Sequence, residues 1–364
     1  MATRTDDNIL VLAGTRDGLY FYEGTCARDG WTRRGPVLEG LDIANAVLDP
    51  RDGRTIWASG SGNGSTAVYR SRDCGETWAM AGEPFDCDMV WHVEPGHAAH
   101  PGRVYAGVRP AGLYMSDDSG ETWQPVRGLN EHPSSGEWWE GGGGKMLHTI
   151  LTNPSDPDEL TVAISVAGVF QSRDGGTNWQ PSNEGTVGMA EEMAEMMLEM
   201  FGHPVEHHGV HRCVHKVVRH PGRPEVMYQQ NHDGVYKTED GGANWVDISE
   251  GVSSRFGFVI GVTSDASVYV VPQDMDKVRF SGQLGVYRRR EGAASWDRLT
   301  NGLPEIENIT LYREGMATDN CPAGGVYFGT SEGDLFHTTN GGETWSKLAS
   351  GIPAVRSVSC EHYS

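Results

Sequence analysis

The octapeptide SRDCGETW at residues 71–78 returns as SDDSGETW (116–123), SRDGGTNW (172–179), TEDGGANW (238–245) and TTNGGETW (338–345), with RREGAASW (289–296) as a worn copy. Each part of it has a job in a tight hairpin. The aspartate accepts bonds from turn amides, the glycine takes a positive φ, and the tryptophan buries a large ring beneath the turn. The tryptophans stand 45 to 66 residues apart, a period that signals a repeat architecture. Between them lie short apolar runs such as RVYAGV, LTVAISVAGVF and GVYFGT, separated by Gly, Asp, Asn and Pro clusters, which is strand and turn chemistry rather than a helical solenoid.

Each unit parses as four strands, and four-stranded sheets repeated in one chain build a propeller. The spacing predicts an all-β fold with seven blades. Six end at the six tryptophans, and the seventh joins N-terminal strands (8–35) to a C-terminal strand (354–361), closing the ring without a free sheet edge. Residues 1–364 then form one domain, because every blade packs on its neighbours. The repeat resembles the Asp-box, or BNR, motif (S-x-D-x-G-x-T-W) of the sialidase-like propellers, and the whole chain is similar to bacterial WD40/YVTN/BNR-like repeat proteins often labelled exo-α-sialidase. The resemblance implies that the boxes sit at the blade periphery, away from chemistry. A sialidase would also need an arginine triad, a Tyr/Glu pair and an early Arg-Ile-Pro-like element. That early element is missing here, and histidines stand in the channel register where arginines are needed, so sialidase activity is not expected.

The formal net charge of −21 makes nucleic acid and anionic membrane poor partners for the surface as a whole. The segment MATRTDDNIL has no signal-peptide pattern and no run approaches a membrane span, so a cytoplasmic protein is expected. The cysteines (26, 74, 87, 213, 321 and 360) are scattered without CxxC spacing, and reduced thiols are expected.

Two insertions interrupt the repeat, both between the last strand of one blade and the first of the next. Residues 127–145 carry Trp138, Trp139 and Glu140 before a glycine run, a covering loop that either stacks on a ligand or packs on the blade tops. Residues 181–211 contain MAEEMAEMMLEMFG, in which Met189, Met193, Met196, Met197 and Met200 share a helical face. That single helix is expected to cap the propeller, line a pocket or contact a second copy of the chain. The HPVEHHGVH segment after it adds His203, His207, His208 and His211.

Counting back 13 residues from Tyr105, Thr161, Tyr228 and Tyr327 reaches His92, His148, His215 and Glu314. One register in a radially repeated fold maps to one height around the axis, so these four are expected to ring the channel and to hold a divalent metal ion: Zn, Fe, Mn or Cu. The positions 17 further on are Arg109, Ser165, His232 and Ser331. Arg109 would clamp a substrate carboxylate, while His232 or Glu140 moves a proton. These residues point to a metal-dependent hydrolase or lyase acting on a small polar or carbohydrate-like substrate, with a non-catalytic binding or assembly scaffold as the alternative.

Overall fold

In a computed structural model the chain is described over residues 8–140, 142–188, 199, 202, 206–207, 209–276, 278–322 and 324–363. Seven four-stranded antiparallel sheets follow one another as blades. Taken from the innermost strand outward, blade 1 is Val355–His362, Asn8–Thr15, Gly18–Thr25 and Thr32–Val37. Blade 2 is Asp42–Leu48, Ile56–Gly62, Ser65–Ser71 and Ala79–Met80. The first three strands of blade 3 are Met89–Pro95, Val104–Arg109 and Gly112–Ser116, and those of blade 4 are Leu147–Asn153, Asp156–Ile164 and Gly168–Ser172. Blade 5 starts with Val214–His220, Arg223–Asn231 and Gly234–Thr238, blade 6 with Gly257–Val262 and Val268–Pro272, and blade 7 with Met316–Thr318 and Val326–Gly329. The innermost strands contact one another in a closed circuit, with Val355–His362 seated between blades 7 and 2. The C-terminal strand pairs with Asn8–Thr15, from Ile9 opposite His362 to Thr15 opposite Val355. The ring therefore closes as the repeat count demands.

The boxes form the hairpins between third and fourth strands. In the first, Gly75 N–H and Thr77 N–H donate to Ser71 Oγ (2.8 Å) and Asp73 Oδ1 (2.9 Å), and Thr77 Oγ1 donates to Asp73 Oδ2 at 2.6 Å. The same bonds recur at Ser116–Thr122. Gly75 has φ +86°, and a side chain there would strike the Phe21 ring, so the turn needs glycine twice over. Trp123, Trp245 and Trp296 each donate their indole N–H to a carbonyl in the linker from the preceding blade: Ala81, Ser182 and Ile248. The rings thus join neighbouring sheets, and the buried pair, Trp245 and Trp296, contribute roughly 2 kcal/mol or more each.

Helix is nearly absent among the described residues. The first insertion folds into a short helix, Arg127–Asn130, and a 3-10 turn, Pro133–Glu137. Trp138 is buried against Phe170 with ring centroids 5.4 Å apart, which resolves its role as packing on a blade top. Of the second insertion, the methionine face, His203 and His208 lie outside the described residues. No described helix is long and apolar enough to cross a membrane.

The expectation of reduced thiols needs correction at the closure seam. Cys26 of blade 1 and Cys321 of blade 7 form a disulfide, with Cα atoms 5.5 Å apart and 295 positions apart in sequence. Beside it, a buried Arg28–Asp319 ion pair at 2.7 Å spans the same two blades. Spacing along the chain gave no sign of this pairing, because closing the ring is what makes the two cysteines neighbours.

Candidate functional site at the axial mouth

The loops joining second to third strands, and those joining one blade to the next, open on one face. There the axis is bordered by Trp91, Arg109, Cys213, His232, Phe258, Tyr312, Arg313 and Arg356. The Arg313 guanidinium lies 5.0 Å from the Phe258 ring centre and 6.0 Å from that of Trp91. Arg356 approaches the same Trp91 ring to 5.9 Å and Tyr312 to 4.8 Å. Arg16 donates to the Tyr312 hydroxyl at 3.3 Å. A methyl group added at Gly143 would sit 3.6 Å from Arg313 Nη2, and one at Gly144 would sit 3.4 Å from Arg109 Cδ. Gly143 and Gly144 of the first insertion thus lie against the two arginines, and Gly144, at φ +83°, takes a conformation that favours glycine.

Partnering divides the arginines. Arg109 Nε is 3.3 Å from Asp88 and Arg356 Nε donates to Asp42 at 3.0 Å. Arg313 Nη2 donates to Ser165 Oγ at 3.1 Å, and Arg313 Nε has no hydrogen-bond partner among the described residues. Burial pulls its pKa down, opposed by Cys213 and Glu314.

The four expected metal ligands are not brought together. His92 Nδ1 is 3.5 Å from Glu314 Oε2, and Lys216 Nζ bonds that same oxygen. Burial disfavours an ionised Glu314, but Lys216 and His92 outweigh it and hold the carboxyl down to about 2. For His92, burial works against the charged form, while Glu314 and Glu94 raise its pKa overall. His148 spends Nε2 on the Val214 carbonyl (3.1 Å) and Nδ1 on Thr149 Oγ1 (3.0 Å), so neither nitrogen is aimed at a shared ion. Burial, followed by Arg313 and Lys216, keeps it neutral. His215 turns Nδ1 to the Gly257 carbonyl at 2.6 Å.

The reason is a register slip. Glu94, Leu151 and Val218 pair with Tyr105, Thr161 and Tyr228, so the first turn of blade 3 is one residue longer than those of blades 4 and 5. Counting 13 back through it lands one residue off, and one residue on a strand is the opposite face. By pairing, His92 belongs with Thr149 and Lys216, whereas His148 and His215 share the bulge position with Trp91.

Of the expected catalytic residues, Arg109 and His232 are at the mouth, with the His232 ring centre 5.8 Å from that of His215 and 5.0 Å from that of Phe256. Glu140 is exposed on the covering loop. Sequence reasoning missed Arg313 and Lys216, each adjacent to a residue it had selected, and Cys213, which stands two before His215 and therefore on its side of the strand. A surface cleft of about 420 Å³ lies apart from the axis, between the rims of blades 4 and 5, lined by residues such as Asp174, Asn178 and Gly242. Asp174 and Asn178 bond each other in the box there.

No family model matches the chain. It is 24% identical over 195 residues to the oligoxyloglucan-reducing end-specific xyloglucanase of Emericella nidulans, a match covering 50% of this chain and 23% of that protein. The matched region is thus under a quarter of the length of that relative. Among solved structures, an ancestral GH74 enzyme superposes with a TM-score of 0.61 at 18% identity, over 85% of this chain and 39% of that one. A Lactobacillus plantarum protein gives 0.59 at 13% identity, over 98% and 99%. YCF48 from Cyanidioschyzon merolae gives 0.56 at 15%, over 88% and 89%. These likenesses show the seven-bladed fold.

Proposed function

We propose that the protein is a hydrolase or lyase that binds a small, carboxylate-bearing, carbohydrate-like substrate at the axial mouth. The observation that carries this reading is the convergence of Arg313 and Arg356 on the rings of Trp91, Tyr312 and Phe258, with Arg16 on the Tyr312 hydroxyl and Arg109 beside Gly144, in a chain of net charge −21. A local cationic mouth in an acidic protein selects an anion by charge. Guanidinium groups take a carboxylate in a planar fork, and aromatic faces pack on the apolar faces of sugar rings. The partial likeness to a xyloglucanase supports a carbohydrate-like substrate. The carboxylate requirement comes from this chain's own arginines.

Binding of a uronate-containing oligosaccharide, followed by calorimetry, with product formation followed by NMR, tests the reading. A uronate ligand should bind and be cleaved, and its neutral counterpart should bind weakly. Arg313→Met should weaken uronate binding roughly 10–100-fold, the value of a charge-assisted hydrogen bond. Equal affinity for the neutral sugar would refute the anion site. Binding without cleavage would refute catalysis and leave a binding module, the alternative reading of the fold.

A further inference from the structure

We propose that Cys213, His215 and His232 form a three-ligand transition-metal site in the wall of the axial mouth, with Zn(II) the best match. The inference rests on the geometry of blade 5 and its neighbours and is independent of what the substrate is. The sulfur and one nitrogen of each histidine lie within 4.8 Å of one another. Cys213 Sγ is 3.4 Å from His215 Nε2. A tetrahedral ion with bonds of roughly 2.3 Å to sulfur and 2.0 Å to nitrogen sets such atoms roughly 3.5 Å apart.

Three features orient the donors. A carbonyl oxygen only accepts, so the contact of His215 Nδ1 with Gly257 O at 2.6 Å puts the ring proton on Nδ1 and leaves the Nε2 lone pair facing Cys213. That is the outer contact that a metal-ligating histidine uses. The His232 backbone N–H donates to the Cys213 carbonyl at 2.8 Å, fixing the loop after the second strand against the residue that precedes the first. Val166, whose backbone N–H faces the Cys213 thiol, sits at φ +58°, a strained conformation for a β-branched residue.

The donor set also suits the ion. A thiolate and two imidazoles match Zn(II), and three protein ligands leave a coordination position for water or substrate. Phe256 and Phe258 pack on the His215 ring and shield it from one side. Burial pushes the Cys213 thiol up to about 11, and Arg313 pulls only partly against it. Binding exchanges the thiol proton for the ion, so one proton is released to solvent for each thiolate formed. As a ligand, His232 would not be the proton acceptor expected from sequence, and the ion would supply an activated water in its place.

The test is cobalt and zinc titration of the full chain without a histidine tag, after chelator treatment. The wild type should take up equimolar metal and show a thiolate-to-cobalt charge-transfer band. Cys213→Ser should lose the band, and His232→Ala, at a half-exposed loop position less prone to unfolding, should weaken zinc binding by at least roughly 10–100-fold. His148→Ala should leave both unchanged. Absence of stoichiometric uptake by folded wild type overturns the proposal, as does a His232→Ala variant with wild-type affinity.

Discussion

The hairpin belt and the axial mouth are built from the same repeat and use their polar atoms in opposite ways. In the belt, Ser71, Asp73 and Thr77 satisfy one another within one turn, and the next blade repeats them at Ser116, Asp118 and Thr122. At the axis the register repeats but the residues do not, and polar atoms are left over: both nitrogens of His92, Arg313 Nε, Glu314 Oε1, Ser357 Oγ and Ser359 Oγ lack hydrogen-bond partners among the described residues. Buried polar atoms normally find partners, so leftovers need a cause. A group that recurs in every blade answers to the fold, whereas one that appears in a single blade and is only half-satisfied answers to something outside it.

The contrast predicts where a substitution hurts most. Lys216 and Glu314 join blades 5 and 7 across the axis and are both nearly buried, with 11% and 6% of their side chains exposed. Lys216→Met takes the amine off Glu314 and leaves its buried charge with His92 and Arg313 to offset it. The expected cost is about 3–5 kcal/mol in urea denaturation at neutral pH, the usual result of removing one member of a buried pair. A loss below about 1 kcal/mol would mean that the axis is as self-sufficient as the belt.

The fold was legible because the belt writes it into the sequence at six of the seven blades: the tryptophan period and the turn residues give the strand order and the blade count, and the strands left over at the two ends make the seventh. The site was legible only in part. Arg109 and His232 fall at the mouth because they stand at or just past the ends of second strands, a position counted over a few residues from a recurring Tyr or Thr. His92, His148 and His215 were misjudged as a set because the count ran through a turn whose length differs between blades. The disulfide and the Lys216–Glu314 pair join blades that are far apart in sequence, and no local pattern marks such contacts.

A second test separates the upper axis from its lower part. Glu361, on the closing strand, has its pKa raised to about 7, by burial first and the nearby Glu94 second. A carboxyl with a raised folded pKa lends its stability below the unfolded value near 4.5 and loses it as pH climbs to about 7. Glu314 is the reverse case: its depressed pKa gives stability above 4.5 that fades as pH falls towards 2. Glu361→Gln should therefore raise the melting temperature at pH 8 and leave it nearly unchanged at pH 4.5. An equal shift at both pH values would show that Glu361 is not held protonated by its surroundings.

The smallest effect is expected in the belt itself. Asp73 is half-buried, and its carboxyl is held down to about 2, first by the Thr77 hydroxyl and then by the Thr77 backbone N–H and Ser71. Asp73→Ala removes those bonds, yet solvent can take over the freed Thr77 groups, and Gly75 N–H keeps its bond to Ser71 Oγ. The neighbouring box keeps its own bonds, since its serine, aspartate and threonine bond one another within a single turn. The expected outcome is a melting temperature lowered by a few degrees, with metal uptake and uronate binding as in the wild type. The reverse pattern, an unchanged melting curve with lost binding, would move the working surface from the axis to the rim and end the division of labour argued from the two regions.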